Sequence, residues 1–157
     1  MTKIGNEELI IREYATQDKS KLLEILALNV PEYFHESEVA DFSDYLDCEV
    51  EKYFVLEMNG EIIGSGGINF ENNHQTGKIS WDIIHPNFQG LGLGTKLLKY
   101  RLNILKEMDS VEIISVRTAQ LTYVFYEKFG LVLREIHKDY WAKGFDMYQM
   151  EMHKRPT

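Results

Sequence analysis

The amino-acid sequence predicts a single α/β domain over residues 1–157, with a mixed, partly antiparallel sheet of about seven strands flanked by about four helices. Three observations predict it. Strand-type alternation occurs at several points along the chain, an Asn-Gly pair joins two apolar runs in its middle, and helical segments elsewhere separate strands as crossovers do.

Taken in order, Leu9–Tyr14 (LIIREY) reads as the first strand. Asp18 or Ser20 can then cap a helix whose apolar residues are Leu22, Leu23, Ile25, Leu26 and Leu28, and Pro31 ends it. A second helix, about Ser37–Leu46, carries Val39, Phe42 and Leu46 at helical spacing. Tyr53–Met58 and Glu61–Asn69 form a hairpin, because Asn59-Gly60 tolerates the two positive φ angles of a type I′ turn. Lys78–Ile84 sets Ile79, Trp81 and Ile83 against Lys78, Ser80 and Asp82, the alternation of a strand stopped by Pro86. A glycine-rich segment leads into a helix of about Gly94–Met108 with Leu97, Leu98, Leu102, Leu105 and Met108 on its apolar face. Val111–Arg117 is a strand, Gln120–Phe129 a short helix, and Leu131–Lys138 and Phe145–Met152 are closing strands.

Composition narrows the function. A net charge of −8 speaks against general nucleic-acid binding, which needs a basic surface to neutralise phosphates. No apolar run is long enough to span a bilayer, and the polar start Met1–Asn6 does not resemble a secretory leader. The single cysteine, Cys48, suits a reducing compartment, so a cytoplasmic location is expected. No metal cluster is expected from so few soft ligands.

The most informative stretch is Gln89-Gly90-Leu91-Gly92-Leu93-Gly94-Thr95, between a strand and a helix. Glycines there let backbone N–H groups approach a ligand, and the helix start adds a dipole that favours anions. Lys96, Lys99 and Arg101 follow and are expected to make the local field favourable in an otherwise acidic protein. The order Gly-Thr-Lys differs from the Gly-Lys-Ser/Thr of a nucleotide P-loop, and G-x-G-x-G differs from the dinucleotide G-x-G-x-x-G, so ATP, GTP and NAD are disfavoured.

This strand–glycine loop–helix resembles the Q/R-x-x-G-x-G/A motif of the GNAT acyltransferase superfamily. Phe125-Tyr126-Glu127-Lys128-Phe129-Gly130-Leu131 resembles the second signature of that family at a suitable distance downstream, and the order of elements agrees from about Leu9 to Met152. The resemblance implies an N-acetyltransferase using acetyl-CoA as co-substrate. It implies that the backbone of Ile83 and Ile84 pairs with the pantetheine arm, and that Gln89, Gly90, Leu91, Gly92, Leu93, Gly94 and Thr95 hold the pyrophosphate. It further implies that Tyr126 protonates the departing thiolate. Phe125 and Phe129 continue a stripe from Leu121, which puts Tyr126 about 100° around the helix, where its hydroxyl can reach a cleft. Two positions depart from the pattern: Ala119 replaces a frequent family asparagine, a contact that Gln120 could supply, and Lys78 and Ser80 stand where some members carry a catalytic glutamate.

The base is therefore open. A lysine-like amine is almost wholly protonated at neutral pH, so a proton acceptor is needed. Asp82, which shares one strand face with Ser80 and Ile84, is a candidate acting directly or through an ordered water; a water chain to bulk solvent stands equal to any one side chain, and His74, His85 and His35 are further alternatives. Cys48 has acidic neighbours that disfavour its thiolate, so direct transfer is expected, with a strand backbone N–H polarising the thioester carbonyl.

Glu36, Glu38, Asp41, Asp44, Asp47, Glu49 and Glu51 occupy a segment that shapes the acceptor pocket in the resembled family, pointing either to a cationic amine or to a solvated acidic face. Tyr33, Phe34, Trp81, Tyr140 and Trp141 are candidate pocket walls. A catalytically weak acyl-CoA sensor and an enzyme of another phosphate ligand are the rival readings. Exposed edges over Leu131–Met152 could support a homodimer.

Overall fold

The computed structural model describes residues 2–4 and 7–154. The elements run β1 (Thr2–Ile4), β2 (Glu7–Glu13), α1 (Lys19–Leu28), α2 (Glu38–Cys48), β3 (Lys52–Met58), β4 (Glu61–Glu71), β5 (Thr76–Ile84), α3 (Leu93–Glu107), β6 (Ile113–Thr118), α4 (Tyr123–Glu127), β7 (Val132–Ala142) and β8 (Phe145–His153). They form a mixed α+β sheet in the order β1-β2-β3-β4-β5-β6-β8-β7. Among the described strands every pairing is antiparallel except β5 with β6, which α3 joins as a crossover helix.

The sheet has one strand more than the sequence predicted. β1 pairs with β2 through Thr2↔Leu9, Lys3↔Glu8 and Ile4↔Glu7, within a stretch expected to be merely polar. A three-residue edge strand has too few positions to show alternation, so only the pairing reveals it. The hairpin at Asn59-Gly60 forms as expected, with φ of 53° and 81°.

Two apolar layers cover the sheet. Leu22, Ile25 and Leu26 of α1 and Phe42, Tyr45 and Leu46 of α2 pack on one face with Tyr53, Val55 and Ile83. Leu93, Leu97, Leu98, Leu102 and Leu105 of α3 pack on the other with Phe54, Leu56, Ile63, Ile68, Ile79 and Ile114. Asp18 precedes α1, but it does not cap with its side chain. Its carboxylate instead accepts two hydrogen bonds from Arg12 and one from the Ala15 N–H, all at 2.8 Å, and these hold its carboxyl below the ordinary range.

β8 lies between β6 and β7, so the free edge expected over Leu131–Met152 is confined to β7. α4 is a single short turn of Tyr123–Glu127 rather than the longer helix expected from Gln120 to Phe129. Leu121 is 60% exposed and does not belong to an apolar stripe; Phe125 and Phe129 pack against the core without it.

Candidate active site

The site begins with a fault in the sheet. Between β4 and β5 the register passes from Gly67↔Ser80 to Ser65↔Ile83, so Trp81 and Asp82 together face Gly66. This is a β-bulge, and it reverses the parity of everything beyond it. Under strict alternation Ile79 and Ile83 would share a face; instead Ile79 packs in the α3 layer and Ile83 in the α1–α2 layer. Asp82 is thereby turned toward α3, away from the face of Ser80 on which the sequence placed it, while Ile84 stays with it in the α3 layer.

The bulge is held at Trp81, whose φ of +50° is the left-handed region that a bulky residue occupies only under constraint. The buried Tyr53 hydroxyl supplies that constraint. It donates to the Trp81 carbonyl at 2.8 Å and receives the Ser65 hydroxyl at 2.9 Å, bridging both sides of the fault.

Asp82 then meets two partners from separate elements. Oδ1 accepts from Arg101 Nη1 of α3 at 2.5 Å, and Oδ2 accepts from the Tyr126 hydroxyl of α4 at 2.6 Å. The Arg101 side chain is 0% exposed. Its Nε donates to the Leu97 carbonyl at 3.2 Å and its Nη1 also to the Gly67 carbonyl at 3.0 Å. Sequence reasoning assigned Arg101 to the field around the glycine loop; it lies in the core instead, leaving Lys96 and Lys99 near the loop. One signal pointed inward: Arg101 stands four residues from both Leu97 and Leu105, on the apolar face of α3.

Burial, then the charge and hydrogen bond of Asp82, push the Tyr126 phenol well above its ordinary pKa, with Arg101 pulling partly the other way. Burial alone would lower the Arg101 guanidinium, but the Asp82 carboxylate outweighs it and the net shift is upward. Tyr126 is thus kept protonated, and Arg101 charged.

These groups open onto a cavity of about 1020 Å³. Its central feature is a splay between two parallel strands. β5 and β6 pair from Thr76↔Ile113 to Ile79↔Val116, and β5 then continues to Ile84 without β6 beside it. Backbone left unpaired in this wedge is available to an extended ligand. The Ile84 carbonyl is an exception, since it accepts from Asn29 Nδ2 at 3.1 Å and Gln89 Nε2 at 3.2 Å. Gln89 Nε2 also donates to Asn29 Oδ1 at 3.0 Å, so its side chain ties the glycine loop to the end of α1.

The loop itself presents open backbone at the start of α3. Gly90 and Gly92 have φ of 81° and 79°, and a Cβ at either would meet nothing within 4 Å. The first intrahelical bond of α3 runs from Lys96 N–H to the Gly92 carbonyl at 3.1 Å. The N–H groups of Leu93, Gly94 and Thr95 precede it and have no helical partner. Leu93 is buried and anchors the helix start, whereas Leu91 is exposed. Gly90, Gly92, Leu93, Gly94 and Thr95 all line the cavity.

The opposite wall is aromatic and acidic. Phe34 stacks on Trp81 with ring centroids 6.2 Å apart, and Tyr33, Tyr45 and Trp141 join them, whereas Tyr140 does not line the cavity. Of the seven acids between Glu36 and Glu51, Glu38, Glu49 and Glu51 line it; Asp47 is taken by Lys19. Glu38 is buried, accepts from the His35 N–H at 2.9 Å, and is pushed above the ordinary carboxyl range by that burial. His35, His74 and His85 are not among the described residues lining the cavity: His35 bonds to Ser37, His74 stacks on Phe70, and His85 accepts from the Asn87 N–H. Gln120 does not supply the contact missing at Ala119, because its amide is spent on the Gly144 carbonyl and the Asp146 N–H of the β7–β8 turn.

A strand splay, a glycine loop opening a helix and a hydrogen-bonded acid–phenol pair meet in one cavity, an arrangement suited to a transferase of groups carried on an extended anionic donor. Comparison with known proteins makes this specific: a model of the Acetyltransferase (GNAT) family matches residues 21–131. The chain belongs to the GNAT family and is an N-acetyltransferase by class. It is 26% identical over 161 residues to an N-alpha-acetyltransferase of Sulfurisphaera tokodaii, the match covering 92% of each chain. It is 23% identical over 124 residues to the UPF0157 protein YqkA of Bacillus subtilis, where the match spans 73% of this chain but only 36% of that protein. Its fold is similar to that of an aminoglycoside 6'-N-acetyltransferase complexed with coenzyme A, with 16% identity, a TM-score of 0.73, and 94% and 98% of the two chains covered.

Proposed function

We propose that residues 1–157 form one N-acetyltransferase domain that moves the acetyl group of acetyl-CoA directly to a primary amine, with both substrates bound at once. The observation that carries this reading is the Tyr126–Asp82 pair, which stands in the same cavity as the glycine cradle and the acidic, aromatic wall. In this reading the N–H groups of the loop Gln89–Thr95 hold the pyrophosphate, and the strand edge leading to Ile83 and Ile84 aligns the pantetheine arm. Because the Ile84 carbonyl and the Gln89 side chain are bonded to each other and to Asn29, they fix the shape of the cradle, and its free N–H groups do the binding.

Tyr126 is the proton donor to the thiolate and Asp82 the acceptor of the amine proton. The phenol is protonated at any working pH, as a general acid must be, and the carboxylate is 21% exposed, so an amine in the cavity can reach it. Direct attack needs no cysteine intermediate; Cys48 lines the cavity from its acidic wall, at the end of α2.

The acceptor is a cationic amine. Glu49 and Glu51 supply negative charge beside the buried Glu38, and the Phe34–Trp81 stack offers a face for an alkylammonium group. The exposed lone Cys48 fits a reducing cytoplasm, and a second copy would pair along β7. The test is coenzyme A release from acetyl-CoA with monoamines, polyamines and peptide α-amines. Turnover that favours acceptors with a second positive charge supports the reading. Tight acetyl-CoA binding without turnover of any amine replaces it with a sensor.

A further inference from the structure

Arg101 is hard to explain as a structural residue. A guanidinium taken wholly out of water costs several kcal/mol, and a buried ion pair is often no more stable than apolar residues of the same volume. Its Nη2 is buried with no hydrogen-bond partner in the protein, so the interior does not satisfy it fully. It occupies a leucine-like position in the apolar stripe of α3. What it accomplishes locally is to fix Asp82 from behind: Nη1 bonds Oδ1 and the Gly67 carbonyl together, leaving Oδ2 turned to Tyr126.

We infer that Arg101 is a positioning residue that locks Asp82 and Tyr126 into one proton relay, so that the proton removed from the amine is the one returned to the site as sulfur is protonated. The inference rests on the acetyl-transfer reading above. The acceptor first loses its ammonium proton to solvent, and the resulting neutral amine attacks the thioester carbonyl, forming the C–N bond. The ammonium nitrogen of the tetrahedral adduct gives its proton to Asp82, the C–S bond breaks, and the Tyr126 hydroxyl proton goes to the leaving sulfur. The protonated Asp82 then passes its proton across the 2.6 Å contact to the Tyr126 phenolate, and both groups return to their starting state. Nothing is oxidised or reduced, and amide and thiol are the products.

The coupling has a physical basis in the geometry. Burial first, and then the Asp82 charge, hold the phenol proton in place; once Asp82 has accepted a proton the second of these restraints is gone, and Tyr126 is a better acid than before, while the 2.6 Å contact keeps the two groups in register. Amine deprotonation and thiolate protonation are thereby ordered. Arg101 holds Asp82 turned toward Tyr126, and its own hydrogen bonds to the Leu97 and Gly67 carbonyls fix the guanidinium in place. The other titratable side chains near this cluster are Tyr53 and Tyr45, from β3 and α2, whose phenols burial raises, and neither bonds to Asp82 or Tyr126.

The experiment combines acetyl-transfer kinetics with titration of Tyr126 in protein whose tyrosines are replaced by the more acidic 3,5-difluorotyrosine, using Tyr126→Phe to assign the signal. Asp82→Asn and Tyr126→Phe should each lower kcat on the order of 100-fold, as loss of a general acid or base does. The double variant should fall no more than about threefold below the worse single one, because a relay fails as a unit. Arg101→Lys, which keeps a charge in the core and so favours folding, should lower kcat at least about tenfold with the acetyl-CoA KM within about threefold. The Tyr126 titration should move to lower pH in Asp82→Asn and shift in Arg101→Lys, a response that simple loss of packing would not give. Multiplying losses in the double variant, or Arg101→Lys at wild-type kcat, would overturn the relay. If wild-type protein turns over no amine, the acetyl-transfer reading fails; a Tyr126 titration blind to Asp82→Asn would show separately that the coupling is absent.

Discussion

A Cβ placed on Gly66 would stand 2.5 Å from Asp82 Oδ1 and 2.9 Å from Arg101 Nη1, so the residue opposite the β5 bulge must be glycine for the buried ion pair to form. Gly66→Ala should therefore displace the pair and cost about 1–3 kcal/mol, the usual range for overpacking. Thermal unfolding and kcat measured on the same preparation check this: both should fall, whereas a variant as stable and active as wild type would show that the close approach is not needed.

Tyr53→Phe removes the hydroxyl that bridges Ser65 and the Trp81 carbonyl across the bulge. The loss leaves two buried groups short of a partner and should cost about 1–3 kcal/mol. Because Trp81 then lacks the contact that offsets its left-handed backbone, the acetyl-acceptor KM should also rise, which steady-state kinetics will show.

Asp18 carries the clearest pH dependence. Its pKa is lowered in the folded chain, first by the hydrogen bonds from Arg12, so its stabilisation is complete above the unfolded value near 3.9 and is lost as pH falls through the folded value. Asp18→Asn should lower stability at neutral pH by about 1–3 kcal/mol, and the gap to wild type should close in strong acid. Denaturant titrations at a series of pH values below neutrality measure this; a constant gap would contradict the assignment.

Glu38→Gln should weaken binding of a cationic acceptor while leaving the acetyl-CoA KM unchanged, since Glu38 lines the cavity opposite the glycine loop. A rise of about three- to tenfold in the acceptor KM, about 1 kcal/mol, is the expected effect of losing one acidic group from the acceptor wall. An unchanged KM for a polyamine would remove Glu38 from the acceptor site.

Much of this was legible because local rules and tertiary structure agree over long stretches. The Asn59-Gly60 hairpin, the α3 stripe and the glycine loop each depend on neighbouring residues alone, and each forms where the sequence puts it. Tyr126 and Asp82 were readable as candidates, but their contact was not, since it joins β5 to α4 across 44 positions. The bulge hid more. Alternation from Lys78 to Ile84 is unbroken in the sequence, yet Trp81 breaks it in the fold, and the cause lies in Gly66 and Tyr53 on other strands. Arg101 was misplaced for a related reason: a cation after a phosphate-type loop is ordinarily solvated, and only the carboxylate behind Gly66 makes burial tolerable.

The central claim, that the loop Gln89–Thr95 holds the pyrophosphate of acetyl-CoA, is tested most directly by the melting-temperature shift on adding acetyl-CoA to wild type and to Gly92→Glu. The substituted side chain projects into the open space above the cradle and brings a negative charge to it. A shift of several degrees is expected in wild type, growing with ligand concentration, and none in a folded Gly92→Glu variant. No shift in wild type at saturating acetyl-CoA, or an equal shift in the variant, would contradict it.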